Sequence, residues 1–202
     1  MEIDYEKNKN EIIEIFKSFK RPGAYDLFEF LDKEGFFKAP CSGGHHLCEV
    51  GGLAEHSLNV YRYAMKIAEA VYTKEEFEEN KISIAIASLL HDVGKIGDYG
   101  KSMYVPNLLK SGKVSASKPF KRNPDLTGVP HSVRSVTLIR QYMNLTEQEE
   151  WAIMCHDGLY GEMKYVLQGH ETPLYAIVHY ADFWCSHFVE NVGNDDEEDC
   201  NF

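Results

Sequence analysis

The sequence predicts an all-α fold, one helical bundle over residues 1–193 interrupted by a small β-hairpin. Three observations predict it. Apolar residues recur at helical spacing through most of the chain, Pro and Gly punctuate those stretches, and the helical period disappears only between Gly100 and Gly128.

The first helix runs from Glu2 to Lys20, with Ile12, Ile15, Phe16 and Phe19 on one stripe, and Arg21-Pro22-Gly23 stops it. Tyr25 to Lys33 is a short second helix carrying Leu27, Phe28, Phe30 and Leu31. Ala39 to Gly52 holds Pro40, Gly43, Gly44, Gly51 and Gly52, the composition of an ordered loop. Leu53 to Tyr72 follows as a strong helix on the stripe Leu53, Val60, Ala64, Ile67, Ala68 and Val71. Ile82 to Asp92 reads as a buried helix, with Gly94 as its left-handed C-terminal cap. Met103 to Leu109 and Val114 to Phe120 flank Lys110-Ser111-Gly112-Lys113, which predicts the hairpin inserted over 100–128. Helices resume at His131 to Met143, after Pro130, and at Glu147 to His156, where Thr146 and Glu149 have capping-box spacing. Pro173 opens a last helix to Val189, and the acidic stretch 194–202 reads as a flexible tail.

A chain of 202 residues is long enough for one well-buried core. The longest uncharged apolar stretch, Ile82 to Leu90, is far short of the ~20 residues of a membrane span, so no membrane partner is expected. Met1 to Phe16 is charged throughout and lacks the apolar core of a secretory signal. Five cysteines without a C-x-x-C pair do not make a disulfide framework and fit a reducing cytoplasm. The net charge of −11 excludes a surface that is basic all round, although Lys101, Lys110, Lys113, Lys118, Lys121 and Arg122 give the hairpin a local excess able to attract an anion.

The chemistry is carried by histidines and aspartates. His56 lies one turn after Leu53 and one turn before Val60, so its imidazole shares the core-facing stripe and needs a partner inside the protein. A backbone carbonyl would meet that need. His91-Asp92 adds a carboxylate at the end of the most apolar helix, where an isolated charge would cost many kcal/mol and the helix dipole disfavours it. The carboxylate therefore needs a cation or a proton; imidazole and carboxylate together are common ligands of divalent transition metals, and an Asp can bridge two of them.

His56, His91-Asp92 and Asp182 reproduce the H…HD…D pattern of the HD superfamily of metal-dependent phosphohydrolases. Gly51-Gly52-Leu53-Ala54-Glu55-His56-Ser57-Leu58 resembles that superfamily's GGLLEHSL, and Leu89-Leu90-His91-Asp92-Val93-Gly94-Lys95 resembles its LLHDIGK. The resemblance runs from about Gly44 to about Phe188 and is nearest to small HD proteins of viruses and bacteria and to the HD domain of 3′-to-5′ exoribonucleases. It implies an HD-domain bundle in which His56, His91, Asp92 and Asp182 hold one divalent metal. Asp92 would bridge to a second metal held by His131 and His156; Mn, Fe, Mg or Co would suit the donors, and Zn is compatible. The implied reaction is hydrolysis of a phosphoester by a metal-activated water, with Asp92 and Lys95 as catalytic residues. Lys95 matches the Lys of the HD-x-GK phrase and would meet the substrate phosphate. Arg134, one turn after His131, and His46, just before the GGL phrase, are further expected substrate contacts.

The expected substrate is a phosphorylated small molecule, a nucleotide above all, or a nucleic-acid end. Two alternatives share these residues: a di-iron HD-type oxygenase, and a non-catalytic nucleotide-binding module. His179, one turn before Asp182, serves either as a hydrogen-bond partner of a ligand or as packing against Tyr180 or Trp184. Cys41, His45, His46 and Cys48 are zinc-ligand types, but their spacing matches no usual zinc pair, so this segment is read as the rim of the site.

Overall fold

A computed structural model describes residues 3–190. In order the elements are α1 (Tyr5–Phe19), α2 (Ala24–Lys33), α3 (Gly52–Val71), α4 (Lys74–Leu90), a 3₁₀ turn (Val93–Ile96), β1 (Tyr104–Pro106) and β2 (Phe120–Arg122). There follow α5 (His131–Ile139), α6 (Glu147–Cys155), a second 3₁₀ turn (Gly158–Tyr160), α7 (Lys164–Leu167), α8 (Pro173–Trp184) and a π-turn (Cys185–Val189). This is an all-α bundle with a small hairpin. The acidic tail expected over 194–202 lies outside the described residues.

Side-chain caps set the starts of four of the eight α-helices among the described residues. Asp4 accepts from the Lys7 amide at α1, Thr146 and Glu149 close a reciprocal capping box at α6, and Thr172 caps α8 with Pro173 in its first turn. Thr73 and Glu76 close another such box at α4, which therefore begins at Lys74 rather than at the expected Ile82. The early turns of α4 are charged and mostly exposed, so no apolar period marks them.

Leu53, Leu58 and Val60 of α3 and Ile84, Ile86, Leu89 and Leu90 of α4 are fully buried in one core. The short connection Tyr72-Thr73 lets α3 and α4 pack side by side, and α8 lies against α3, α4 and α6. Arg21, beyond α1, forks onto the wholly buried Glu149 carboxylate at 2.5 and 2.6 Å, fastening the N-terminal segment to α6.

Gly94 corrects a second expectation, because its backbone is not left-handed. Its amide donates to Ser135 Oγ at 2.8 Å, and a Cβ there would lie 2.2 Å from the His131 carbonyl oxygen. Glycine is required for the close approach of the first 3₁₀ turn to α5, and this approach brings His131 beside His91-Asp92.

The hairpin is shorter than the expected strands. Tyr104 pairs with Arg122 and Pro106 with Phe120, and one further bridge joins Leu108 to Val114. Between those pairings the return strand bulges out, because Pro119 has no amide hydrogen for the ladder. Among the described residues no helix is long and apolar enough to cross a membrane.

Candidate metal centre

Helix ends present most of the donors. His91 and His156 are the C-terminal caps of α4 and α6, Asp92 follows His91, His131 is the first residue of α5, and His56 and Asp182 stand within α3 and α8. His91 Nδ1 lies 2.7 Å from the Ser88 carbonyl and His156 Nδ1 2.7 Å from the Ile153 carbonyl. Each helix's last turn leaves carbonyls without amide partners. A carbonyl can only accept, so each Nδ1 carries a hydrogen and each Nε2 is left to face the centre. Glu190 does the same for His56: its carboxylate accepts from Nδ1 at 2.9 Å and from the Asn59 amide at 3.1 Å.

The inward atoms form two groups. His56 Nε2 and His91 Nε2 are 3.2 Å apart, with Asp182 Oδ1 at 3.2 and 3.9 Å from them and Asp92 Oδ2 at 3.5 and 3.4 Å. His131 Nε2 and His156 Nε2 are also 3.2 Å apart, and Asp92 Oδ1 lies 3.1 and 3.5 Å from them. Asp157 approaches the same two rings at 3.5 and 3.6 Å. A tetrahedral ion with nitrogen ligands at ~2.0–2.1 Å spaces them roughly 3.3 Å apart, so both groups have the edge length of a coordination shell. Two neutral imidazoles whose Nε2 lone pairs face each other repel unless a proton or a cation lies between them. Asp92 Oδ1 is buried and makes no hydrogen bond among the described residues, a costly state for a carboxylate oxygen unless a cation satisfies it. The donor set therefore fits a divalent cation in each group.

The electrostatics agree. Burial alone would raise the Asp92 carboxyl, but Lys95, His91 and His131 hold it well below the usual range, and His56 and His91 likewise hold Asp182 down against burial. Burial opposes charging of His156 too, yet Asp157, Asp92 and Asp182 pull its imidazole up to about 9. For His91 burial wins and its pKa falls. The acidic charge of the centre thus attracts a positive charge, which is a proton until a metal displaces it.

Lys95, on the first 3₁₀ turn, places Nζ 2.6 Å from Asp92 Oδ2. Burial works against its charge, but Asp92 and Cys41 hold its pKa well above the ordinary value, so it remains an ammonium. His46 lines the mouth of the centre, with Nε2 3.2 Å from Cys41 Sγ and its ring centroid 5.0 Å from that of His56. Cys48 is turned away toward Ser42 Oγ and the His46 carbonyl, so the four residues do not form a zinc clip.

Arg134 lies inside the protein rather than on its surface. It is 3% exposed, and its guanidinium donates to Asp98 and to the Thr127 carbonyl, which ties α5 to the base of the hairpin rather than offering a phosphate contact. His179 supports His156 through the backbone, Nδ1 lying 2.7 Å from the His156 carbonyl. Sequence reasoning missed Glu190 and the closeness of Asp157 to both rings of the second group. Asp157 was signalled by its place directly after His156; Glu190, past the last helical stripe, carried no signal.

The chain belongs to the HD domain family, whose model matches residues 53–182. Over 100 residues it is 31% identical to the dihydroneopterin 2′,3′-cyclic phosphate phosphodiesterase of Methanocaldococcus jannaschii, a stretch covering 48% of this chain and 38% of that protein. The chain thus spans well under two thirds of that relative. No solved structure matched it at comparable significance.

Proposed function

We propose that the protein hydrolyses a phosphoester of a small phosphorylated molecule, a nucleotide above all, at a dinuclear divalent-metal centre. The observation that carries this reading is Asp92, whose two oxygens face two separate groups of donors and one of which is buried without a hydrogen bond. In this reading His56, His91 and Asp182 hold one ion, His131 and His156 the other with Asp157 beside them, and Asp92 touches both. When bound, the ions would act as Lewis acids toward a phosphate oxygen and lower the pKa of water.

The chain's own residues do the rest. Ser88, Ile153 and Glu190 hold three imidazoles in the tautomer that leaves Nε2 free, as outer partners of metal ligands do. The Lys95 ammonium neutralises Asp92 Oδ2 and stands where a phosphate oxygen would arrive, ready to stabilise charge gathering there. That ammonium favours phosphate over dioxygen as the reactant, and every ligand position of a catalytic centre is filled.

Turnover of a panel of phosphoesters by protein reconstituted with Mn²⁺, Mg²⁺, Co²⁺ or Fe²⁺ tests the reading, together with metal analysis of two variants. Asp92→Ala should lose both ions and His131→Ala mainly one. Full occupancy in both variants, or no phosphoester turned over with any of the four metals, would overturn it.

A further inference from the structure

The hairpin is built into the wall of the site. Phe120 donates its amide to the Gly43 carbonyl at 3.2 Å, in the loop that carries Cys41 and His46. A Cβ on Gly43 would come within 3.0 Å of the Phe120 carbonyl oxygen, and one on Gly44 within 2.9 Å of Lys118. Loop and hairpin are therefore in close contact, and this seats Tyr104 near the centre. Burial raises the pKa of its phenol, while Lys95 and Asp92 pull it in opposite directions, so both charges are within electrostatic reach.

Two cavities adjoin the metal centre on different sets of its donors, one on Lys95, His156 and Asp182 and the other on His131. One, of about 170 Å³, is lined by Lys95, His156, Asp182, Phe183 and His187. The other, of about 240 Å³, is lined by His131 and Glu162 and by Tyr104 and Arg122 of the hairpin. Asp157 and Tyr160 border both. Tyr160, 80% exposed, lies near-parallel to Phe183 at 6.4 Å between ring centroids, so an aromatic face stands where the cavities part. Each volume lies below the roughly 300–1,000 Å³ of a drug-sized ligand site, so neither cavity alone takes more than one small substituent of a substrate.

A phosphomonoester has one organic substituent and would fill one cavity. A phosphodiester has two, and the site offers two cavities that meet only at Asp157 and Tyr160. Among the described residues Arg122 is the only lysine or arginine lining the second cavity; its Nη2 donates to the Val129 carbonyl at 3.2 Å, which leaves other donors of the guanidinium fork for a ligand. We infer that the substrate is a phosphodiester laid across the centre with one substituent in each cavity, and that Tyr104 and Arg122 select the substituent on the His131 side. This inference rests on the phosphohydrolase reading. Water would give its oxygen to phosphorus, one P–O ester bond would break, and the departing oxygen would take up a proton, leaving a monoester and an alcohol.

The test compares thymidine 5′-(p-nitrophenyl phosphate), a diester, with p-nitrophenyl phosphate on the Mn²⁺-loaded protein, both read as nitrophenol release. The diester should have the higher kcat/KM. Arg122→Ala should lower the diester-to-monoester ratio of kcat/KM about tenfold, the scale of one lost charge-assisted contact, chiefly through KM, with Arg122→Lys restoring part of it. Tyr104→Phe, which keeps the ring, should move the ratio less than Tyr104→Ala. Preference for the monoester, or a ratio that neither Arg122→Ala nor Tyr104→Ala moves, would overturn the inference and leave the phosphohydrolase reading standing. Failure to turn over either ester with metals bound would reject that reading, and this inference with it.

Discussion

At the residue scale, Asp92 and the groups around it divide metal binding from substrate binding. Lys95 touches Asp92 yet has no lone pair to give a cation while it remains an ammonium. Lys95→Ala should therefore keep its metals, by elemental analysis, while kcat falls about 10²-fold or more if the ammonium acts as a single oxyanion donor does elsewhere. A variant with metals intact and undiminished turnover would remove Lys95 from the chemistry. Glu190 acts at one remove, since it holds the ring of His56 and not the ion. Glu190→Ala should weaken metal affinity in chelator competition by about 10–100-fold, with Glu190→Gln recovering part because an amide oxygen still accepts from Nδ1. Equal affinity in wild type and Glu190→Ala would show that His56 needs no such partner.

At the scale of elements, the centre depends on how closely the 3₁₀ turn Val93–Ile96 approaches α5. Gly94→Ala must push them apart, because a methyl carbon cannot sit 2.2 Å from the His131 oxygen. Overpacking of this kind costs about 1–3 kcal/mol, and for a chain of this size each kcal/mol lowers Tm by about 2–4 °C. Calorimetry should show that drop together with loss of the ion held by His131; a variant with unchanged Tm and full metal content would contradict the account. Much of this was legible in the sequence. The long helices announced themselves by stripes and caps, and the six main donors by the HD phrase and by histidines placed where apolar residues belong. What stayed hidden depended on contacts between distant segments. Gly94 reads as a helix cap until α5 is laid against it, Arg134 reads as a phosphate contact until Asp98 and Thr127 claim it, and Glu190 means nothing until α8 returns beside α3. The first turns of α4 escaped because their residues face water, although Thr73 and Glu76 spell out the capping box.

At the scale of the whole molecule, proton and metal compete for one centre with opposite consequences for stability. In metal-free protein the His156 imidazole is raised from its ordinary 6.5 to about 9, and that of His56 is raised as well. A group whose folded pKa is raised contributes stability that is complete below its unfolded pKa and lost as pH climbs through the folded one. The Tm of metal-free protein should therefore fall between about pH 6.5 and pH 9, whereas His91, pushed down by burial, titrates below this window. Divalent metal needs the same nitrogens without protons, so saturating Mn²⁺ should reverse the slope and add about 2.7 kcal/mol per site at a hundredfold excess over Kd. Parallel slopes with and without metal would rule out this competition. The position of the hairpin carries a further consequence. Its exposed tip around Lys110 and Lys113 divides the donors, with His56, His91 and Asp92 on the N-terminal side and His131, His156 and Asp182 on the other. A chain nicked at that tip would become two fragments with three of the six donors each, held together by an ion as well as by the packing of α8 on α3 and α4. Covalent continuity through the hairpin would then be dispensable, and chelation would remove one of the two attachments that hold the nicked molecule together.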